Sequence, residues 1–154
     1  MLLAGLALFA LSGCSKDQGS SATPPSSGHH AHVAPHGGTL VELGDHQFNL
    51  ELVHDPSAGR LTVYLLDAHA ESFVRVPLRE FTLVALVRGR RETVPMTARA
   101  NAATGETVGD SAEFAAEAPW LASKVAFDGL IPALEIRGVP FSEVRFAFRS
   151  SASP

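Results

Sequence analysis

The chain has 154 residues, with 12 Lys and Arg against 16 Asp and Glu, a formal net charge of -4, and 45% hydrophobic residues. That length suits one domain, the mild acidity argues against the basic stripe of a nucleic-acid binder, and a single Cys excludes an internal disulfide or a multi-cysteine zinc site. Gly 13 and Pro 10 point to many turns rather than long helices.

The chain opens on an apolar run, Leu2 to Leu11. Ten residues are too few to span a bilayer, which takes about 20, but they suit the apolar region of a secretory signal. The run ends in Leu11-Ser12-Gly13-Cys14, where small residues admit the backbone to a peptidase site. This stretch resembles the lipobox of bacterial lipoproteins, although no Lys or Arg precedes the apolar run. The resemblance covers residues 1–14. It implies a signal peptide over 1–13, lipid modification of Cys14 as the mature N-terminus, and a membrane partner reached through that anchor. Ser15 stands where Asp would retain such a protein at the inner membrane, which implies an outer-membrane lipoprotein facing the periplasm.

Residues 14–35 are rich in Ser, Gly and Pro, and Val33 is their only large apolar residue. Such a segment cannot bury enough apolar surface to offset its ordering entropy, so it reads as a flexible tether.

From His36 to about residue 150 the pattern changes to period-2 alternation. Phe48, Leu50 and Leu52 share one face, with Gln47, Asn49 and Glu51 on the other. Leu61, Val63 and Leu65 follow, and later Leu134 with Ile136, then Val144, Phe146 and Phe148. Strands are predicted at about 39–43, 46–54, 61–67, 72–76, 81–87, 92–99, 132–137 and 141–149, with a short helix at 119–126 opened by Pro119. Gly44-Asp45 suits a two-residue hairpin, Pro56 to Gly59 a four-residue loop, and Arg88-Gly89-Arg90 a tip. The expected fold is all-β: an immunoglobulin-like antiparallel sandwich of about eight strands with one short helix, with a small barrel as the alternative. Residues 151–154 read as a disordered tail.

All seven histidines fall between positions 29 and 69: His29, His30, His32, His36, His46, His54 and His69. Neutral imidazole is the commonest metal-binding side chain and suits copper, zinc and nickel. The four-residue loop fixes the register of its hairpin so that His46 would face His69, with Asp67 on the same face. The Gly44-Asp45 turn would bring His36 near His54. The candidate metal ligands are therefore His29, His30, His32, His36, His46, His54, Asp67 and His69. A blue-copper site is excluded because it needs a Cys and Cys14 is committed to the lipid.

From His36-Gly37-Gly38 to Leu66-Asp67-Ala68-His69 the chain is similar to small periplasmic proteins associated with heavy-metal efflux. The similarity implies a metal-handling context and an envelope partner such as an efflux system, without the long helical hairpin of an efflux adaptor. No G-x-S-x-G, H-E-x-x-H or P-loop occurs, so no catalytic residue is assigned and the chain does not read as an enzyme. The alternative is a structural or protein-interaction envelope lipoprotein.

Overall fold

A computed structural model describes residues 32–149. The expected signal peptide, Cys14, His29, His30, most of the expected tether and the expected tail lie outside the described residues. Eight strands occur in the order β1 (Thr39–Leu43), β2 (Phe48–Asp55), β3 (Arg60–Leu66), β4 (Glu80–Val87), β5 (Arg90–Ala98), β6 (Glu113–Glu117), β7 (Ala126–Ile136) and β8 (Val139–Arg149), with a 3₁₀ turn at Pro119–Leu121 between β6 and β7.

The strands form one antiparallel sheet ordered β1-β2-β3-β6-β5-β4-β7-β8. Its two outer strands meet: the Phe141 ring of β8 lies against Gly44 at the end of β1 and makes an edge-to-face contact with Phe48, centroids 6.1 Å apart. The architecture is therefore a nearly closed barrel, the alternative the sequence left open, and not two stacked sheets. Alternating strands bury one face in either design. The difference lies in β6, which joins the β1–β3 and β4–β8 halves through ladders on both its edges.

Leu50, Leu52, Leu61, Leu65, Leu83, Met96, Phe114, Ile131 and Ile136 fill the interior. The β2–β3 hairpin has the predicted register, Leu50 opposite Leu65 and Leu52 opposite Val63. Asp55 caps its loop: Oδ1 accepts from the Ser57 hydroxyl at 2.6 Å and from the Ser57 and Ala58 N–H groups. Those bonds, the Ser57 hydroxyl first, lower the Asp55 pKa. The tips Arg88-Gly89 and Arg137-Gly138 have φ of 48° and 78°, and 51° and 80°. Two successive left-handed residues make the hairpin turn that matches strand twist, and glycine takes that conformation without strain.

Four expectations are corrected. The β1–β2 connection is a four-residue turn, Gly44–Gln47, pairing Leu43 with Phe48, so His46 (φ 53°) sits in the turn and not on a strand. Residues 72–76 form no strand and make only isolated bridges, Leu66 to Phe73 and Val76 to Ser111. The helix shrinks to Pro119–Leu121. Strand β6 was not predicted, since the small side chains of Glu113–Glu117 blur its alternation, and β7 starts six residues before the predicted 132, hidden by Gly129 and Pro132.

Gly129 is required where it stands. It pairs with Phe146, whose ring covers it so closely that a Cβ would overlap the ring. Gly129→Ala is expected to lower stability by about 1–3 kcal/mol, the usual cost of overpacking. A urea unfolding midpoint equal to wild type would contradict this packing.

Candidate functional site

The outward face of β2 is not solvated. Asn49 and Glu51 are buried on it, each beneath a loop that carries histidines. Asn49 donates its amide N–H groups to the carbonyls of Asp67 (2.9 Å) and Ala68 (3.1 Å), which ties down the turn leading to His69. Glu51 is fully buried and holds the segment entering β1. Its Oε1 accepts the backbone N–H of His36 at 2.7 Å and of Gly38 at 2.9 Å, while Oε2 meets His36 Nδ1 at 2.8 Å. Alternate N–H groups converging on one oxygen form an anion-binding nest, here built around Gly37 at φ 70°. Gly38 must lack a side chain, because a Cβ would run into the Leu52 carbonyl and Glu51 Cγ.

This arrangement fixes the His36 ring. A carboxylate accepts only, so in the neutral ring Nδ1 carries the hydrogen and the Nε2 lone pair is left without a partner among the described residues. The ring stacks on Tyr64, centroids 4.0 Å apart and 16° from parallel, and Phe73 flanks both rings. Burial, then the charges of Glu113 and Glu51, raise the Tyr64 pKa. A carboxylate behind an imidazole, with the far nitrogen unprotonated, is the support that metal-binding histidines commonly have.

His69 is exposed in the Asp67–Ser72 turn, and the His32 ring approaches it edge-on with centroids 5.9 Å apart. Two imidazoles on one tetrahedral zinc, with Zn–N near 2.0–2.1 Å, place their centroids about 5 Å apart. A small swing of either ring reaches that spacing. Asp67 organises the turn: Oδ1 accepts the Glu71 N–H at 2.9 Å, and the Asp67 N–H donates to the Ser72 carbonyl. Burial of Asp67 acts to raise its pKa, but bonds from Glu71, Ser72 and His69 outweigh it, and the net direction is down.

The other candidates are dispersed. The β2–β3 ladder ends at Asn49 and Leu66, so His46 and His69 are not ladder partners. His46 instead meets Glu42, with Nδ1 3.1 Å from Oε2. His54 donates from Nε2 to the Leu121 carbonyl at 2.7 Å and packs edge-on against Phe148. His36 and His54 both line one pocket, and no direct contact between the two rings is seen. Among the described residues no three His, Cys, Asp or Glu side chains form a group able to hold a metal ion. His29 and His30 lie outside them.

Glu51 was missed in the sequence, where it reads as the solvent side of an alternating strand. The signal that could have found it is Gly37-Gly38, a pair that marks a backbone approaching its neighbour closely. No described helix is long and apolar enough to cross a membrane. Comparison with protein-family models, curated proteins and solved structures finds no match, so the functional argument rests on this geometry.

Proposed function

We propose that the chain is a lipid-anchored envelope protein that binds a divalent transition metal through histidines, as a buffer or delivery module without catalysis. The observation that carries this reading is the approach of His32 to His69. It sets the exposed imidazole of His69 beside a second imidazole from the segment that enters the folded domain. These two imidazoles are two of the ligands that zinc, copper(II) or nickel takes. The ring of His36, backed by Glu51, is a separate candidate ligand, because no three described side chains form one group. Cys14 would supply the anchor, and an efflux system is the partner class that fits a metal-delivering lipoprotein.

Titration of the full chain in nonionic detergent with zinc or copper(II) tests the reading. The variant carrying both His32→Ala and His69→Ala is expected to bind at least tenfold more weakly. Unchanged affinity would remove the domain from the site. A separate measurement addresses the anchor: Cys14→Ala should move the protein out of the membrane fraction or leave it unprocessed. A wild-type chain without acyl mass would end the lipoprotein reading.

One observation favours the second reading, an interaction module. On the outer face of β4 and β7, Leu86 is 49% exposed and adjoins Val84, Leu130 and Phe146 in a shallow depression that Arg91, Asp128 and Arg145 also line. A partner on this face would protect Leu86, and Leu86→Lys would abolish its binding while leaving metal affinity intact.

A further inference from the structure

At the β4–β5 corner an exposed apolar side chain stands beside unpaired cations. Of the largely exposed large apolar side chains among the described residues, Leu86 alone is on a strand. The ladders set its neighbours. Arg91 on β5 and Asp128 on β7 lie opposite Leu86, and Ala147 on β8 continues that row. The next row runs Thr93, Val84, Leu130 and Arg145. Residues paired across a ladder share a face, so both rows lie on the outward face with Leu86. Beyond them the chain turns through Arg88-Gly89 to Arg90, and both arginines are exposed.

Arg88, Arg90 and Arg91 put three guanidinium groups within four residues. None of them makes an ion pair among the described residues. The carboxylates of this face are matched by other cations: Asp128 meets Arg149 at 3.6 Å, and Glu143 meets Arg145 at 3.6 Å. Glu92, next to Arg91, falls on the other face of β5. The three tip arginines therefore remain as net positive charge. In a chain of net charge -4 this is a local reversal of sign.

Sign and size together decide what fits here. The sign calls for an anionic partner and disfavours a second copy, which would bring the same three arginines to the contact. Four strands about 4.8 Å apart, with about three outward positions on each, cover on the order of 400 Å². A specific protein interface buries about 800 Å² on each side, twice that area. A lipid surface needs no such area. Each arginine near anionic headgroups strengthens binding about fivefold, and one leucine that leaves water adds a similar factor. The guanidinium fork also matches the oxygens of a phosphate.

We propose that the β4–β5 tip docks the barrel on an anionic lipid surface, with Arg88, Arg90 and Arg91 on the phosphate groups and Leu86 entering the apolar boundary beneath them. The docking needs neither a bound metal nor a protein seated on Leu86. It also differs from an anchor at Cys14, which would hold the chain on any bilayer and select no lipid charge.

The test places the full chain on nanodiscs of phosphatidylcholine alone and on discs with about 30% phosphatidylglycerol, the anionic lipid. Both carry a spin-labelled headgroup, and amide broadening is read by ¹H–¹⁵N NMR. A lipid anchor would hold the chain on both discs alike, so contact of the tip is the difference measured. Broadening at residues 86–91 is expected on the anionic discs only, and it should fade at about 0.5 M salt. Gly138, in the matching turn at the opposite end of the barrel, should stay sharp. Arg90→Gln should weaken docking about fivefold, and Arg88→Gln, Arg90→Gln and Arg91→Gln together about a hundredfold. Leu86→Lys exchanges an apolar group for a cation and should leave docking within about threefold of wild type, whereas a protein seated on Leu86 would be lost. Equal broadening on neutral and anionic discs, broadening at Gly138 as strong as at Gly89, or a triple variant that docks like wild type would each overturn the proposal. So would loss of docking in Leu86→Lys, which would make apolar contact, and not charge, the source of binding.

Discussion

Phe114→Ala is expected to lower the unfolding free energy by about 3–5 kcal/mol, the range for truncating a fully buried aromatic. Phe114 has no exposed surface and packs on Phe81 with ring centroids 5.1 Å apart. Its strand is also the joint of the barrel. β6 pairs with β3 from Glu113 to Glu117, but with β5 only through Thr97–Ala115 and Ala98–Phe114. A cavity at Phe114 therefore loosens the shortest link between the two halves of the sheet. Denaturant unfolding measures the loss, and hydrogen exchange should show the β5 and β6 amides released first. A loss below about 1 kcal/mol would mean that the interior around Phe114 is not packed as described.

That strand also shows what a sequence of this kind conceals. Leu50, Leu52, Leu61, Val63 and Leu65 announce β2 and β3, because large apolar residues alternate with polar ones and Asp55–Gly59 supplies an unambiguous turn. Glu113 to Glu117 announces nothing: alanines lie on both of its faces, and Ala115 and Ala116 are each 7% exposed. Alternation records which face is buried. It carries no information about whether the far face meets a second sheet or curves round to the same core, and so could not choose between sandwich and barrel. The register of β2 and β3 was legible to the residue. The inferred His46–His69 pair was still lost, because the ladder stops at Asn49 once the preceding turn takes four residues and not two.

The histidine positions were legible, but their roles were not. Composition marks the window from 29 to 69, yet within it each ring meets a different neighbour. His36 meets a buried carboxylate, His46 an exposed one, His54 a backbone carbonyl, and His69 another imidazole. Apart from His46 with Glu42, these contacts join residues 15 to 67 apart in the chain, which no local pattern encodes.

Glu51 controls the ring closest to the entry of β1, and two substitutions separate its structural and chemical effects. Glu51→Ala removes the acceptor for the His36 and Gly38 amides and for His36 Nδ1, leaving three part-buried donors without their partner. A loss of about 3–5 kcal/mol is expected, with rapid amide exchange at residues 36–38. Glu51→Gln keeps the shape. Its carbonyl oxygen can still accept both backbone N–H groups, but its NH₂ now faces His36 where an acceptor stood. The imidazole relieves the clash of donors by moving its hydrogen to Nε2, so that Nδ1 accepts from the amide. Stability then falls by only about 1–2 kcal/mol, whereas long-range ¹H–¹⁵N spectra should show the tautomer reversed. Because Nε2 is the nitrogen left open in the wild type, a metal ion bound there would lose its lone pair and its carboxylate support together. Affinity should drop about 10–100-fold if His36 is a ligand. A reversed tautomer with unchanged metal affinity would remove His36 from the site. An unchanged tautomer would mean that the Glu51 carboxylate does not set the ring.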